Sequence, residues 1–311
     1  MGSTSDPAQS FVGRDVVSMR NFSNEEIVHI LDLADRFESV NEPLLRGKIL
    51  ANLFFEPSTR TRLSFQAAMA RLGGATIGFA DAAISSVSKG ESLADTIRVV
   101  ENYCDIIVIR HRYEGAARLA ANTTSLPVLN AGDGSNQHPT QTLLDLFTIR
   151  KIHGRIHELR VAFLGDLRYS RTVHSLIETL GRFACDLVLV SPPSLRMPSD
   201  ILDDLAAKGV RCREEFDPSI LPLDVDVLYT TRIQKERFPD PLEYERVKNA
   251  YQLDRQSLNV YSQTVTVMHP LPRVNEISTD LDDYEGAAYF KQAKNGITVR
   301  KTLLSILLGV A

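Results

Sequence analysis

The sequence has little cysteine and no long hydrophobic run, and both absences narrow its class. Its 311 residues include only three cysteines, Cys104, Cys185 and Cys212. They form no CxxC pair, which argues against a disulfide framework or a structural zinc site and fits a reducing compartment. No apolar run approaches the roughly 18 residues that a membrane-spanning helix needs, and residues 1–10 lack a signal-peptide pattern. We therefore expect a cytoplasmic protein without a membrane partner.

An excess of basic charge is also missing. The formal net charge is −4 and the isoelectric point is about 6.0, whereas nucleic-acid-binding proteins usually present a basic surface. We therefore expect no nucleic-acid partner. The content of 43% hydrophobic and 24% charged residues is that of an ordinary globular protein. At roughly 100–200 residues per domain, the length predicts two domains.

Short β-branched runs alternate with longer amphipathic stretches along the chain. Buried strands that alternate with helices are typical of parallel sheets with helices on both faces. We therefore predict an α/β fold of two domains, each a parallel β-sheet flanked by helices. The predicted strands are 48–55, 105–110, 127–129, 160–164, 186–190, 226–229 and 265–268, and the predicted helices are 24–37, 60–72, 92–103, 141–149, 172–180, 199–207 and 298–308.

The loop after the first predicted strand has the features of an anion site. Ligands of open α/β sheets bind beyond the carboxyl ends of the strands. There, residues 56–62 read EPSTRTR, with Ser58 or Thr59 as a natural N-cap. Two arginines in a first helical turn oppose the helix dipole at about 0.3–1 kcal/mol each, unless a bound anion reverses the sign. We favour a phosphate site here; a capped helix without a ligand is the alternative.

Three further loops carry candidate residues. Lys89 lies among small and polar residues in 82–93, where a mobile loop could bring it to an anion; a solvated surface loop is the alternative. His138, before Pro139, could donate a hydrogen bond to a polarised oxygen, although a lone loop histidine is more often structural. The prolines around Leu271 leave carbonyl groups without regular partners after strand 265–268.

Arginines follow two strands of the second half, in 166–172 (DLRYSRT) and 230–237 (TTRIQKER). Bidentate recognition of a carboxylate needs this residue type. Surface ion pairs with Glu178 or Glu236 are the alternative. A dinucleotide cofactor is not indicated, because the turn after strand 160–164 lacks a GxGxxG pattern. No metal is expected either, since His153 and His157 have no evident carboxylate or cysteine partner.

Seven segments resemble, in order and spacing, the catalytic chains of aspartate carbamoyltransferases. They are FFEPSTRTRLSF, SKGESLADT, RHRYEGAA, GSNQHPTQTLLDLFTI, SRTVHSL, TTRIQKERF and MHPLPR. The resemblance runs from about residue 11 to the last residue. STRTR alone marks the wider carbamoyltransferase family. Two features favour an aspartate enzyme over an ornithine enzyme: the TRIQKER segment, and Pro270, where ornithine enzymes typically have cysteine. Ser170 and Ser88 depart from the common pattern, which often has glycine and, in some members, lysine at these positions. An ornithine-type enzyme and a non-catalytic sensor of an anionic metabolite are the rival interpretations.

The resemblance implies transfer of the carbamoyl group of carbamoyl phosphate to the amine of L-aspartate, the committed step of de novo pyrimidine biosynthesis. It implies a carbamoyl-phosphate-binding domain of residues 1–139 plus 291–311 and an aspartate-binding domain of residues 140–290. Neither a metal nor another cofactor is required, because the amine attacks the carbamoyl carbon directly.

The resemblance also implies roles for individual residues. The phosphate is held by Ser58, Thr59, Arg60 and Thr61. The carbonyl oxygen is polarised by Thr61, Arg110 and His138. The carbamoyl NH2 group and the attacking amine are oriented by Gln141 and by the carbonyls of Pro270 and Leu271. The carboxylates of aspartate are clamped by Arg171, Arg232 and Gln234. Ser85 and Lys89 come from a neighbouring subunit, which implies a homotrimer with shared active sites. The sequence leaves open whether a regulatory chain binds it.

Overall fold

The chain folds into two compact units. The computed structural model describes residues 11–81, 86–218, 221–238, 240–261 and 264–311. Unit 1 comprises Met1–Phe147 and Lys294–Ala311, and unit 2 comprises Thr148–Ala293. The chain passes from one unit to the other within two long helices, at Phe147/Thr148 and at Ala293/Lys294. The sequence analysis placed the two domain boundaries at 139/140 and 290/291.

Unit 1 contains a four-stranded parallel sheet. Its strands are β1 (Ile49–Phe54), β2 (Ala75–Phe79), β3 (Ile106–His111) and β4 (Val128–Asp133), in the order β2-β1-β3-β4. The helices that begin in unit 1 are α1 (Asn24–Phe37), α2 (Thr59–Arg71), α3 (Leu93–Val100), α4 (Ala116–Ala121) and α5 (Pro139–His153), with 3-10 turns at Met19–Asn21, Ser86–Lys89 and Glu101–Tyr103.

Unit 2 contains a five-stranded parallel sheet. Its strands are β5 (Arg160–Leu164), β6 (Asp186–Val190), β7 (Cys212–Glu215), β8 (Val227–Thr230) and β9 (Thr266–Met268), in the order β7-β6-β5-β8-β9. The helices that begin here are α6 (Arg171–Gly181), α7 (Ser199–Ala207), α8 (Pro241–Val247), α9 (Arg255–Leu258) and α10 (Tyr289–Leu307), with 3-10 turns at Pro193–Leu195, Lys235–Arg237 and Thr279–Leu281.

The inner strands are hydrophobic on both faces because helices and loops cover both faces. In unit 1, Ala51 and Leu53 of β1 pack in one apolar cluster with Ile107 and Ile109 of β3. Burial of each such leucine or isoleucine contributes about 1.5–3 kcal/mol to folding. The equivalent cluster of unit 2 gathers residues from β5, β6, β8 and β9. These cores hold the strand ends, and therefore the loops that follow them, in place.

The predicted fold class is confirmed, but two strands were missed. Both β2 and β7 lie at an edge of their sheet. Their side chains are partly or fully exposed, so they lack the apolar run that reveals an inner strand. The predicted terminal helix 298–308 is the second half of the longer α10. Among the described residues, no helix combines the length and apolarity that crossing a membrane requires.

Candidate functional site

The first turn of α2 carries positive charge and an N-cap hydroxyl that the helix does not use. Ser58 occupies the N-cap position, but its side chain makes no capping hydrogen bond. Arg60 and Arg62 lie in the first turn, which has no acidic residue. Thr61, between them, is buried. The positive end of the helix dipole, free N–H groups and two guanidinium groups at one place suit an anion.

Arg110 is anchored at the carboxyl end of β3. It pairs with Phe54 in the register of β1 and β3. Its Nη1 donates to the carbonyl of Ala131 at 3.2 Å, and its Nε lies 3.5 Å from a carboxylate oxygen of Glu56. The guanidinium group is therefore oriented by the loop after β1 on one side and by β4 on the other.

The loop that carries His138 is organised around the buried carboxylate of Asp133. That carboxylate accepts hydrogen bonds from Asn130 Nδ2 at 2.8 Å and from the backbone N–H of Gly115 at 2.9 Å. It also accepts the backbone N–H of Gln137 at 3.3 Å. His138 follows immediately and is 3% exposed. Its carbonyl accepts the backbone N–H of Gln141 at 2.9 Å. This hydrogen bond lies in the first turn of α5, which begins at Pro139.

The topology of unit 1 brings most of the predicted carbamoyl-phosphate residues to one edge of the sheet. Because β1, β3 and β4 are neighbouring parallel strands, the loops after them meet at their common carboxyl edge. The carboxyl end of β3 carries Arg110, and the loops after β1 and β4 with the helices they open carry Ser58, Thr59, Arg60, Thr61, His138 and Gln141.

Lys89 and Ser85 are not part of this group. Lys89 is exposed at the end of a 3-10 turn and forms no hydrogen bond or ion pair with any residue that the structure describes. Ser85 lies outside the described residues.

In unit 2, a buried carboxylate links the loops after β5 and β8. The backbone N–H of Asp166 donates to Thr231 Oγ1 at 3.1 Å. Its carboxylate accepts the backbone N–H of Tyr169 at 2.9 Å and that of Gln234 at 3.4 Å. Burial raises the pKa of Asp166 to about 6, against the N–H donors and the charge of Arg232, which favour the ionised form.

Gly165, the residue before Asp166, allows the loops after β5 and β8 to approach each other. Gly165 has φ +115°, and a Cβ added there would meet the carbonyl oxygen of Thr231 at 2.2 Å. An L side chain is excluded both by the backbone conformation and by the contact. The sequence analysis quoted this segment for its arginines and missed Asp166 as a site residue, although an acid directly after a buried strand was a usable signal.

Arg232 forms a bidentate ion pair with Glu236. Its Nη1 donates to Glu236 Oε2 at 3.0 Å, and its Nη2 donates to the other carboxylate oxygen. This hydrogen bonding raises the pKa of Arg232 and lowers that of Glu236. The pair that the sequence analysis named as the alternative for Arg232 is therefore present. It also shows that the guanidinium fork accommodates a carboxylate with two parallel hydrogen bonds.

The loop after β9 holds Leu271 in a left-handed conformation, at φ +58°. A non-glycine residue reaches this region only when its surroundings enforce it. Here the Leu271 N–H donates to His269 Nδ1 at 2.7 Å, while His269 Nε2 lies 2.7 Å from a carboxylate oxygen of Glu276. The carboxylate accepts the Nε2 proton, which leaves Nδ1 as the acceptor for Leu271.

Glu276 is a second residue that the sequence analysis missed, and no motif signalled it. Burial alone would raise its pKa, but the hydrogen bond from His269, together with backbone N–H donors, holds the pKa of Glu276 below its ordinary value. The pair thereby fixes the backbone whose carbonyls, at Pro270 and Leu271, are candidate ligand contacts.

The topology of unit 2 also gathers its predicted residues at one edge. Strands β5, β8 and β9 are adjacent in the sheet. The loops after them carry Arg232, Gln234, Pro270 and Leu271, and Arg171 begins α6 beyond β5. Within the described ranges, no three histidine, cysteine, aspartate or glutamate side chains group as metal ligands. Unit 2 thus offers arginines suited to carboxylates, and unit 1 offers a site suited to a phosphate.

Two family models match consecutive parts of the chain. Residues 14–151 match the carbamoyl-phosphate-binding domain of aspartate/ornithine carbamoyltransferases, and residues 157–307 match the aspartate/ornithine-binding domain. The chain therefore belongs to the aspartate/ornithine carbamoyltransferase family.

Within this family, the similar proteins are aspartate enzymes. The chain is 56% identical over 303 residues to the aspartate carbamoyltransferase catalytic subunit of Thermococcus onnurineus, covering 96% of this chain and 98% of that one. A solved catalytic subunit of Methanocaldococcus jannaschii aspartate transcarbamoylase has 53% identity and a TM-score of 0.88, covering 95% and 98% of the two chains. The Trypanosoma cruzi aspartate transcarbamoylase, solved with carbamoyl phosphate and aspartate, has 39% identity and a TM-score of 0.91, covering 98% and 99%.

Proposed function

We propose that this chain is the catalytic subunit of an aspartate carbamoyltransferase. It transfers the carbamoyl group of carbamoyl phosphate to the amine of L-aspartate, which gives N-carbamoyl-L-aspartate and phosphate in the committed step of de novo pyrimidine biosynthesis. The observation that carries this proposal is the similarity to aspartate enzymes, at 56% identity over 96% of the chain. The two anion-suited groups of residues in the two units support it.

Unit 1 binds carbamoyl phosphate in this proposal. The hydroxyls and N–H groups at residues 58–61 hold the phosphate, together with the guanidinium of Arg60. Arg110 bridges the phosphate and the carbonyl oxygen, as its fixed position between Glu56 and Ala131 allows. His138 and Thr61, both buried, polarise the same oxygen. Gln141 receives the carbamoyl NH2 group.

Unit 2 binds L-aspartate. Arg171 and Arg232 recognise the two carboxylates, and Gln234 contributes its amide. The bidentate geometry that Arg232 shows with Glu236 is the geometry that it would offer to the ligand. The carbonyls of Pro270 and Leu271 accept hydrogen bonds from the attacking amine and the carbamoyl NH2 group.

The chemistry needs no protein nucleophile. The aspartate amine attacks the carbamoyl carbon, the tetrahedral intermediate places negative charge on the carbonyl oxygen, and the departing phosphate takes the amine proton. Orientation of two bound reactants supplies roughly 7–11 kcal/mol of the barrier. Each preorganised donor to the oxyanion contributes about 100- to 1,000-fold in kcat. Thr61, Arg110 and His138 are those donors.

The first test is product formation from carbamoyl phosphate with L-aspartate and, separately, with L-ornithine. We expect carbamoyl-aspartate alone, because arginines in the acceptor site attract carboxylates and repel a cationic side chain. Carbamoyl-ornithine would reassign the chain to the other branch of the family. No product with either amine, from folded protein that binds carbamoyl phosphate, would favour the non-catalytic alternative.

Replacement of Arg232 tests the assignment of substrates to the two units. We expect Arg232→Ala to abolish saturation by aspartate and to leave the affinity for carbamoyl phosphate within about two-fold, because the lost hydrogen bonds serve only a carboxylate. Isothermal titration with carbamoyl phosphate measures the first affinity, and steady-state kinetics with varied aspartate measure the second. An equal loss of both would contradict the assignment.

We further propose that the enzyme is a homotrimer whose subunits share active sites, and that it works in the cytoplasm, in keeping with its three free cysteines. The exposed position of Lys89, without a polar contact among the described residues, suits a role in a neighbouring subunit. Mixing Lys89→Ala with Arg60→Ala chains tests this, since random trimers would regain about a quarter of wild-type activity. No recovery after verified exchange would exclude sharing. Light scattering gives the assembly size and detects any regulatory chain.

A further inference from the structure

A buried carboxylate lies one helical turn beyond Gln141. Asp145 is fully buried in α5, four residues after Gln141, which is itself 9% exposed. Gln141 Nε2 donates to Asp145 Oδ1 at 2.8 Å. Two residues at this spacing lie on the same face of a helix, so the contact follows directly from the helical geometry.

Asp145 interacts electrostatically with Arg300 of α10, inside unit 1. Arg300 is buried, and its guanidinium carbon lies 4.9 Å from the centre of the Phe65 ring. Burial lowers the pKa of Arg300 to about 10, whereas its interaction with Asp145 favours the charged form. The guanidinium therefore stays protonated at neutral pH, and it places a positive charge close enough to Asp145 for the two groups to interact.

The helix makes room for this guanidinium. A Cβ added at Gly296, one turn before Arg300, would meet Arg300 Nη1 at 2.3 Å. Glycine in a helix interior costs about 0.5–1 kcal/mol relative to alanine. Here its lack of a side chain leaves the space that the arginine occupies.

The hydrogen bond to Asp145 shows which end of the Gln141 carboxamide faces the carboxyl group. The two ends of a glutamine amide have nearly the same shape, but only the NH2 end can donate. A carboxylate only accepts, so the NH2 end of Gln141 must face Asp145. The amide oxygen then points away from Asp145, and it makes no hydrogen bond with any residue in the described ranges.

We propose that Asp145, supported by Arg300, is a positioning residue that presents the Gln141 oxygen as an acceptor for the carbamoyl NH2 group and so selects carbamoyl phosphate over acyl phosphates of the same shape. This inference rests on the proposed function and specifies how one substrate is recognised. Acetyl phosphate is the relevant competitor, because a methyl group replaces the NH2 group and everything else is retained. A fixed acceptor that loses its donor is left unpaired, which is how enzymes reject analogues that lack a single polar group.

The test compares wild type with Asp145→Asn at saturating aspartate. The KM for carbamoyl phosphate and the inhibition constants of acetyl phosphate and inorganic phosphate are measured. An asparagine amide can donate as well as accept, so it no longer dictates the orientation of Gln141. We expect the KM for carbamoyl phosphate to rise about ten-fold and the two inhibition constants to stay within about two-fold.

Two further variants separate positioning from a general structural effect. In a Gln141→Ala background, Asp145→Asn should add less than about two-fold to the KM, because the group that it positions is gone. Asp105→Asn is the matched control: Asp105 pairs with Lys48 Nζ at 2.9 Å and accepts the N–H of Ile49 at the opposite, amino end of β1. It should leave the ratio of the carbamoyl phosphate KM to the acetyl phosphate inhibition constant unchanged.

Each outcome decides one question. An unchanged ratio in Asp145→Asn, or equal weakening of all three ligands, overturns the positioning role while the proposed function stands. A wild-type enzyme that makes no carbamoyl-aspartate refutes the proposed function before any variant is compared.

If Asp145→Asn does not fold, Gln141→Glu provides the same information. Two carboxyl groups at hydrogen-bond distance share a proton, which raises one of their pKa values. The affinity of this variant for carbamoyl phosphate should then fall as the pH rises from 6 to 9, because loss of that proton adds a negative charge beside a dianion. A pH dependence identical to that of wild type would refute the contact.

Discussion

Asp166→Asn should stabilise the protein, and by more at higher pH. The ordinary pKa of this carboxyl is 3.8, and burial raises it to about 6 in the folded chain. Because the folded state holds the Asp166 proton more tightly than the unfolded state, this group favours folding below about pH 4. That contribution is lost as the pH rises through 6. At pH 8 the buried carboxylate therefore costs about 3 kcal/mol, at 1.36 kcal/mol for each pKa unit.

Asparagine has the same shape and cannot ionise, so the variant avoids this cost. We expect its free energy of unfolding to match that of wild type at pH 4 and to exceed it by about 3 kcal/mol at pH 8. Urea unfolding between pH 4 and pH 8, at one protein concentration, measures the difference. A difference that is independent of pH, or that shrinks as pH rises, would refute the reasoning.

A control with the opposite sign is available at Asp105. Burial opposes ionisation there too, but Lys48 and the Ile49 N–H hold the pKa of Asp105 below its ordinary value. Asp105→Asn should therefore destabilise the protein at pH 8, and the loss should shrink as the pH falls through the folded-state pKa of Asp105.

The cost in stability at Asp166 has a functional counterpart, since its carboxylate accepts the N–H of Gln234 and interacts with the charge of Arg232. Asp166→Asn should accordingly raise the KM for aspartate while it stabilises the fold.

Two further predictions concern other buried groups. Glu276→Gln should destabilise the protein by about 2 kcal/mol at pH 7, because the His269 tautomer that accepts the Leu271 N–H loses its carboxylate partner. Since the pKa of Glu276 is depressed in the folded chain, urea unfolding should show this loss disappearing as the pH falls through the folded-state pKa of Glu276, and a constant loss would contradict the pairing. Cys104 and Cys212, whose pKa values burial raises from 9.0 to about 11, should react with iodoacetamide about 100-fold more slowly at pH 8 than an ordinary thiol. Mass spectrometry of tryptic peptides would follow both sites, and labelling at the rate of an unfolded control would refute the prediction.

The fold class and the position of the candidate site follow from local sequence patterns. Inner parallel strands are apolar on both faces, and their carboxyl ends must meet at one edge of the sheet. For this reason the loops after β1 and β4, and those after β5, β8 and β9, could be singled out from the sequence, whereas Arg110 at the end of β3 was assigned only through the resemblance. The residue types in those loops, arginines and hydroxyls at helix starts and beyond strand ends, indicated anions. The resemblance to aspartate carbamoyltransferases then identified the anions as carbamoyl phosphate and aspartate.

Partners that only folding brings together could not be predicted. Asp145 and Arg300 are 155 positions apart, and their interaction depends on how α5 and α10 pack in unit 1. The raised pKa of Asp166 depends on complete burial beneath the loops after β5 and β8, which no spacing encodes. The edge strands β2 and β7 carry exposed side chains, so they are defined by backbone pairing with a neighbour rather than by a pattern of their own.

The sequence by itself thus determined which chemical groups are available and the edge of each sheet on which they lie, because both depend on residue type and on the alternation of strands and helices. The tertiary structure decided the charge state and orientation of those groups. Burial and long-range partners set the pKa of Asp166, the tautomer of His269 and the direction of the Gln141 carboxamide. These are properties of an environment that no single segment of the chain contains.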